Sequence, residues 1–408
     1  MHAASAASAP MADTDIAIVG GGPVGAALAL ALRGGNLRIT VLESRGEHAP
    51  NAAHAAPSAR EPRPIALSHG SRLLLERLDA WDALTRTSVH SAINHVHVSQ
   101  RGGFGRMAFS AADAGVAHLG YVFDFNDIFE SLMHAAHGTA CNYREGAHAT
   151  ALSRDGDRQC IGYTQGDATK QLTARLVVIA DGGEIAGLAS PKIIDYAQQA
   201  LTARVRTARP HANVAYERFT RDGPLALLPF GDEMALVWTL TPERAAALRE
   251  ADAATFLAAL RESFGGRLGA FTHVTRRACH PLTLRHAAHS ATDTPQPGVV
   301  TIGNAAQTLH PVAGQGLNLG LRDAWELAQI LRTGTAPSLA DPALLRRYHA
   351  ARRIDRYATI AATHGMVRLF SNDFLPLDVA RGAGMTLLGS VAPARNFIAR
   401  RMIFGARG

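Results

Sequence analysis

The string Gly20-Gly21-Gly22-Pro23-Val24-Gly25 has the spacing G-x-G-x-x-G, and Glu43 stands 23 residues beyond Gly20. Glycines at these places permit a tight turn, let the backbone come close to a pyrophosphate and leave the N-terminus of the following helix facing its charge. A carboxylate at the end of the next strand can accept hydrogen bonds from ribose hydroxyls. Gly20, Gly22, Gly25 and Glu43 are therefore candidate dinucleotide-binding residues. The motif alone does not distinguish FAD from NAD(P).

A second constellation lies far downstream: Gly303-Asn304-Ala305-Ala306-Gln307, then His310-Pro311-Val312-Ala313-Gly314-Gln315-Gly316-Leu317-Asn318-Leu319-Gly320-Leu321-Arg322-Asp323. Glycine and amide side chains at this density would be costly as core. Ahead of an amphipathic helix they suit a loop whose backbone N–H groups, with the helix N-terminus behind them, point at an electron-rich group. A plain nicotinamide dehydrogenase has no use for such a segment.

These motifs need elements to position them. Ile16–Val19 is a short apolar run, an Ala/Leu-rich helix follows to about Leu32, and Leu37–Leu42 is a second run, which together make a β-α-β unit. The uncharged stretch Ile16–Leu32 is nearly as long as a membrane span, but four glycines and Pro23 in its first half favour strand, turn and helix. Residues 44–64 read as loop, and Ile65–Trp81 reads as one helix. Strands are predicted at Ile93–Val98 and Leu176–Ile179, the latter running into Asp181-Gly182-Gly183.

From Gln198 to Leu240 the pattern is strand-like, clearest at Leu225–Phe230 and Met234–Leu240, as for the sheet of a second domain. On it Tyr216, Phe219, Leu228 and Trp238 suit either a pocket lining or core. Thr241 with Pro242 opens a helix, and Asp252 caps another that reaches Phe264. Gly298–Ile302 reads as a buried strand returning to the first domain. Ala324, Trp325, Ala328 and Leu331 share one helical face, and the remainder is helical with breaks expected near Pro376, Gly382–Gly384 and Pro393.

With 408 residues, 47% hydrophobic and 18% charged, the chain is globular, of one large or two packed domains. From Arg346 onward there are eleven arginines against three aspartates, a net +8 that leaves about −1 for the rest of a chain whose total is +7. A nucleic-acid channel through the body is thereby disfavoured. The basic, apolar-rich end suits an anionic membrane surface or a solvated helical face. Cys141, Cys160 and Cys279 are too few and scattered for a disulfide framework or zinc site, so a reducing, cytoplasmic location without a metal is expected. Residues 1–10 are Ala/Ser-rich without a basic start and read as a disordered tail.

The string from His310 to Asp323 matches H-P-hydrophobic-A-G-Q-G-x-N-x-G-x-x-D at every position. With it, Arg63–Ser68, Ile93–Ser99, Glu217–Phe219 through Gly223–Pro229, and Gly303–Gln307 make nearly the whole chain similar to the flavin-dependent aromatic hydroxylases of ubiquinone biosynthesis. These are a branch of the group A flavoprotein monooxygenases, and the sequence resembles most those acting on polyprenylated methoxyphenols.

The resemblance implies an α/β fold with a Rossmann-like FAD-binding domain drawn from 11–75, 105–188 and 272–335. It further implies a sheet-containing substrate domain from 76–104 and 189–271 and a C-terminal helical segment, 336–408. It implies bound FAD, NAD(P)H as a visiting co-substrate, and O2 consumed through a flavin hydroperoxide that hydroxylates a polyprenylated phenol para to its hydroxyl. The C-terminal segment would meet the inner face of the membrane, or a quinone-pathway assembly.

Gly20, Gly22 and Gly25 would hold the FAD pyrophosphate and Glu43 the adenosine ribose. Asn304 would bind the ribityl chain or pyrophosphate, where many relatives carry Asp. Asp181 and Gly182 would serve FAD and NAD(P)H, with Glu184 standing where relatives carry Ser. Pro311, Gly314, Gln315, Gly316 and Asn318 would face the isoalloxazine ring, with His310, Pro311 and Arg63 nearest the chemistry. Alternatives are a sister hydroxylase acting at another ring position or on a soluble aromatic substrate, and a non-catalytic FAD-binding subunit of a quinone-pathway assembly.

Overall fold

A computed structural model of the chain describes residues 12–46, 63–181, 185, 187–188, 192–286, 297–309, 314–333, 339–370 and 375–405. The expected tail 1–10, and Gly182, His310 and Pro311 among the expected site residues, lie outside the described residues.

Thr14–Val19 (β1) is buried along its whole length, as a central parallel strand requires. Pro23–Ala31 (α1) begins with proline, whose missing N–H costs nothing in a first turn, and Ile39–Glu43 (β2) pairs parallel to β1. Pro64–Ser68 (β3) runs into His69–Arg77 (α2), capped by the Ser68 side chain, which accepts from the Ser71 N–H. Trp81–Thr87 (α3), Ser91–Ile93 (β4), His95–Gln100 (β5), Arg106–Ser110 (β6), Ala111–Ala114 (α4), Gly120–Asp124 (β7) and Phe125–His137 (α5) follow.

Asn142–Glu145 (β8), Ala147–Asp155 (β9), Arg158–Gln165 (β10) and Ala168–Ile179 (β11) lead to Lys192–Thr207 (β12), Val214–Phe219 (β13), Pro224–Phe230 (β14) and Glu233–Leu240 (β15). Then come Pro242–Glu250 (α6), Ala253–Phe264 (α7), Phe271–Val274 (β16), Ala278–His286 (β17), Val299–Thr301 (β18), a short turn at Gly303–Ala305, and Gln307–Thr308 (β19). Four helices end the chain: Gln315–Thr333 (α8), Pro342–Phe370 (α9), Leu375–Ser390 (α10) and Ala392–Phe404 (α11).

Among the described residues the strands form three sheets. The first runs β8-β2-β1-β11-β10-β9 with β18 also on β11; the second runs β19-β17-β12-β15-β14-β13-β5-β6 with β16 on β12; the third is β3-β7-β4. One face of the first sheet buries Ile16, Ile18, Leu176 and Val178 against α1, α5 and α8. The large second sheet packs Leu225, Leu236 and Trp238 onto Phe256 and Leu260 of α7. Its opposite face meets the third sheet and α11, where Ala215, Phe230 and Ala235 join Ile93, Val122, Ala399 and Ile403.

Several expectations are corrected. Ile65–Trp81 is not one helix: Pro64–Ser68 pairs antiparallel with β7, and helix begins only after Ser68 turns its hydroxyl to the Ser71 amide. The apolar spacing from Leu73 to Trp81 spans two helices that meet at Asp79 and Ala80. Ile93–Val98 divides at Asn94, since Ile93 pairs in the third sheet and His95 in the second. Arg106–Ser110 and Ala278–His286, placed by sequence in the first domain, pair within the large sheet, while Trp81 and Leu84 of α3 pack into the first core.

Helix α10 continues through Gly382–Gly384 without a break; a Cβ on Gly382 would stand 2.5 Å from the Phe104 carbonyl oxygen, so this glycine serves close packing. Pro376 and Pro393 do lie in the first turns of α10 and α11. Among the described residues, no helix is long and apolar enough to cross a membrane.

Candidate functional site

The glycine turn joins β1 to α1 and is crowded on three sides. Gly20 has φ +100°, and a Cβ there would lie 2.6 Å from the backbone nitrogen of Asp181, which leaves the end of β11. A Cβ on Gly21 would stand 2.0 Å from the Tyr143 hydroxyl, and one on Gly25 would stand 1.9 Å from the Gly20 carbonyl. Gly22 is different: a Cβ there would meet nothing within 4 Å. The open side of the turn is thus the one facing the start of α1.

Among the described residues, that helix start offers unpaired donors. Its N-cap, Gly22, has no side chain to cap with, and its first turn holds no acidic residue. The first amide N–H groups of a helix have no partner within it, so they are free to bind an anion supplied from outside. Glu43 ends β2 beside this turn, 5% exposed. Its carboxylate accepts from the Gly21 N–H at 2.7 Å and the Arg45 N–H at 2.9 Å, which leaves further lone pairs for hydroxyl donors.

Sequence reasoning missed Tyr143, which projects from β8 and donates its hydroxyl to the Gly21 carbonyl at 2.8 Å. Burial, then the Glu43 carboxylate, push its phenol well above the usual range, so it remains a donor. Nothing in the pattern of the short edge strand β8 marks it.

The downstream motif meets the same turn from the other side. Val24 of α1, Gly303 and Gly320 of α8 converge: a Cβ on Gly320 would stand 2.6 Å from Val24 Cγ2 and 3.2 Å from Gly303 Cα. Gly303, at φ +58°, donates its N–H to Asp323 Oδ2 at 3.2 Å, and Gln307 Nε2 donates to the same oxygen at 2.9 Å. Asp323 is fully buried. Burial alone would raise its carboxyl, but Arg356 and Arg352 outweigh it and hold the pKa at about 2. The Arg352 contact is 2.7 Å and the Arg356 contact 3.3 Å.

This anchored turn presents Asn304 to solvent, and its amide has no partner among the described residues. The first turn of α8 also lacks acidic side chains. Gly314, at φ +59°, rests against Ala66 of β3, and Gln315 donates to the Met402 carbonyl of α11 at 3.4 Å.

Asn318 points into protein. Its Oδ1 accepts from the Ser68 N–H at 2.8 Å and from the Ser71 hydroxyl at 2.6 Å, while Nδ2 donates to the Ala66 carbonyl at 2.8 Å and the Gly314 carbonyl at 2.7 Å. Every hydrogen-bonding position of the amide is used, so Asn318 holds β3 and α2 to the head of α8. Arg63, immediately before β3, lays its guanidinium 4.1 Å from the Phe125 ring centroid and stays solvent-accessible. Asp181 is exposed beside Gly20.

The residues fit a dinucleotide: an open glycine turn with free helix amides, a carboxylate at the next strand's end, and an unpartnered amide across from it. Residues 13–362 match the family described as FAD binding domain. The chain is similar to the ubiquinone hydroxylase UbiL of Rhodospirillum rubrum, 34% identical across 95% of this chain and 88% of that one. It is also similar to 3-demethoxyubiquinol 3-hydroxylase of Escherichia coli, 33% identical across 91% and 94%. Among solved structures, p-nitrophenol 4-monooxygenase PnpA from Pseudomonas putida DLL-E4 shares the fold, with a TM-score of 0.73 at 18% identity over 97% of this chain and 99% of that one.

Proposed function

The chain belongs to the FAD-dependent hydroxylase family of ubiquinone biosynthesis, and we propose that it hydroxylates a polyprenylated methoxyphenol para to its hydroxyl, consuming NAD(P)H and O2. FAD, when bound and reduced, supplies the oxygen-activating chemistry that no amino-acid side chain can. What the chain itself does is bind, orient and exclude water.

In this reading the free amides at the head of α1 hold the pyrophosphate, and Glu43 accepts from the adenosine ribose. Asn304 binds the ribityl chain or pyrophosphate. Gly314, Gln315 and Gly316 would turn the positive end of α8 toward the isoalloxazine ring, where it would favour negative charge. Asn318 keeps that helix end against β3, and Arg63 stands near the ring. Asp181, beside Gly20, serves FAD and the visiting NAD(P)H.

The observation that carries the reading is the open Gly22 turn with unpaired α1 amides beside Glu43. Likeness to the 3-demethoxyubiquinol 3-hydroxylase of Escherichia coli favours, as a second reading, the same chemistry at another ring carbon. Exposed Leu387, Leu388, Val391 and Phe397, with Arg400 and Arg401 nearby, support peripheral contact of α10 and α11 with an anionic membrane surface.

The test incubates purified protein with FAD, removes unbound cofactor, and records the visible spectrum; about one flavin per chain is expected. NAD(P)H and a short-chain methoxyphenol are then added and the product identified. A product carrying one added oxygen para to the hydroxyl supports the proposal. Oxygen at another carbon selects the second reading, and a protein that retains no flavin sinks both.

A further inference from the structure

Glu217 is the carboxylate that cofactor binding leaves unexplained. Unbroken ladders from β13 to β14 and β5 fix its direction: it shares a face with Ala215 and Phe219 and stands opposite Ala226 and Val98. The alternate residues Tyr216 and Arg218 point the other way, to the Phe264 ring and the Ser263 carbonyl of α7. On the Glu217 side, Ala215 belongs to an apolar cluster against which Val98, Leu228 and Ala66 all pack, and a Cβ on Gly314 would lie 3.2 Å from Ala66 Cβ. Glu217 therefore faces the side of the large sheet whose apolar cluster is bordered by Ala66 and, beyond it, Gly314 before α8.

Its surroundings are apolar, and it is half-buried rather than sealed. Burial pushes its carboxyl up, to about 7, and among the described residues no charge or hydrogen bond opposes this. Among the described residues, Arg381 of α10, the helix packed on β6, is buried and engaged. Arg204 of β12 pairs with Asp124 at 3.6 Å, and Arg395 of α11 pairs with Asp113 at 3.0 Å. Burial lowers the pKa of His69, which contacts Phe404 edge-on. A carboxyl group kept in an apolar wall without a partner is costly and contributes nothing to packing.

We propose that Glu217 accepts the hydroxyl proton of the phenolic substrate, so that the ring reacts as a phenolate. The phenol O–H bond breaks, the proton joins a Glu217 carboxylate oxygen, and the electron pair remains on the phenol oxygen, enriching the ortho and para carbons. The assignment rests on the phenol-hydroxylating reading above.

The test compares wild-type, Glu217→Gln and Glu217→Asp holoenzymes on two short-chain 2-methoxyphenols, one unmodified and one fluorinated so heavily that its hydroxyl is already ionised throughout the pH range used. Glu217→Gln should retain FAD, lose about 100-fold in kcat on the unmodified phenol and less than about 10-fold on the fluorinated one. Glu217→Asp, which keeps the carboxylate, should lie between. In the wild type alone, kcat on the unmodified phenol should rise with pH through about 7 as the base loses its proton, while the fluorinated phenol should show no such rise. Equal losses on both phenols, no loss on either, or identical pH profiles overturn the assignment. A wild-type holoenzyme that hydroxylates neither phenol overturns the underlying reading as well.

Discussion

One buried and one half-buried carboxylate meet opposite environments, and the difference has a sign that can be measured. Asp323 is held at about 2, below its ordinary 3.8, so its stabilising contribution is complete above pH 4 and is lost as pH falls toward 2. Glu217 is raised from 4.5 to about 7. Between those values the folded protein keeps a proton that the unfolded chain releases, so stability falls with rising pH, by at most about 3 kcal/mol. Glu217→Gln should therefore raise Tm by a few degrees at about pH 8 and leave it nearly unchanged at about pH 4. Equal shifts in thermal unfolding at the two pH values would contradict an unpartnered carboxyl. A residue that costs stability where it stands is what a functional group in an apolar wall looks like.

At the scale of elements, the junction of α1, the Gly303 turn and α8 depends on missing side chains. Gly320→Ala should improve helix propensity by about 1 kcal/mol, yet its Cβ would stand 2.6 Å from Val24 Cγ2, and the buried contact outweighs propensity. The expected result is a lower Tm together with weaker FAD retention. Gly365→Ala, on the exposed side of α9 where a Cβ meets nothing within 4 Å, should raise Tm with FAD binding unchanged. Paired melting curves and flavin retention on the two variants check this, and a Tm gain in both would mean that the junction is loose.

The same junction marks how far the sequence could be read. The β-α-β unit, the Thr241 and Asp252 caps and the glycine turn are local: each depends on neighbours within a few residues, and each stands in the structure as expected. Tyr143 over Gly21, the four bonds of Asn318 and the ion pairs of Asp323 join residues that are distant along the chain, and spacing within a motif carries no trace of such partners. Asn318 illustrates this. Its place in the His310–Asp323 string pointed to a ligand-facing role, whereas its amide is fully used in holding β3, α2 and α8 together. Glycines 382–384 misled for a similar reason, because a turn and a close helix contact ask for the same residue.

At the scale of the whole molecule, α10 and α11 serve two faces. Ala399 and Ile403 are buried in the cluster between the large and small sheets, while Leu387, at 63% exposure, and Phe397, at 59%, face outward. Deleting the helices would destroy core, so membrane contact is better tested with Leu387→Ser and Phe397→Ser together. Flotation with anionic liposomes should be strong for the wild type, fall with added salt and fall further in the double variant, with flavin content unchanged. Flotation that responds to neither salt nor substitution would exclude these helices as the contact.

Gln315 at the head of α8 reaches the Met402 carbonyl, and a Cβ on Gly405 would lie 2.6 Å from Asp355 and 2.8 Å from Arg322. The head of α8 is therefore braced by a segment 87 residues further along the chain, so loosening the contacts of residues 402–405 should loosen flavin retention as well.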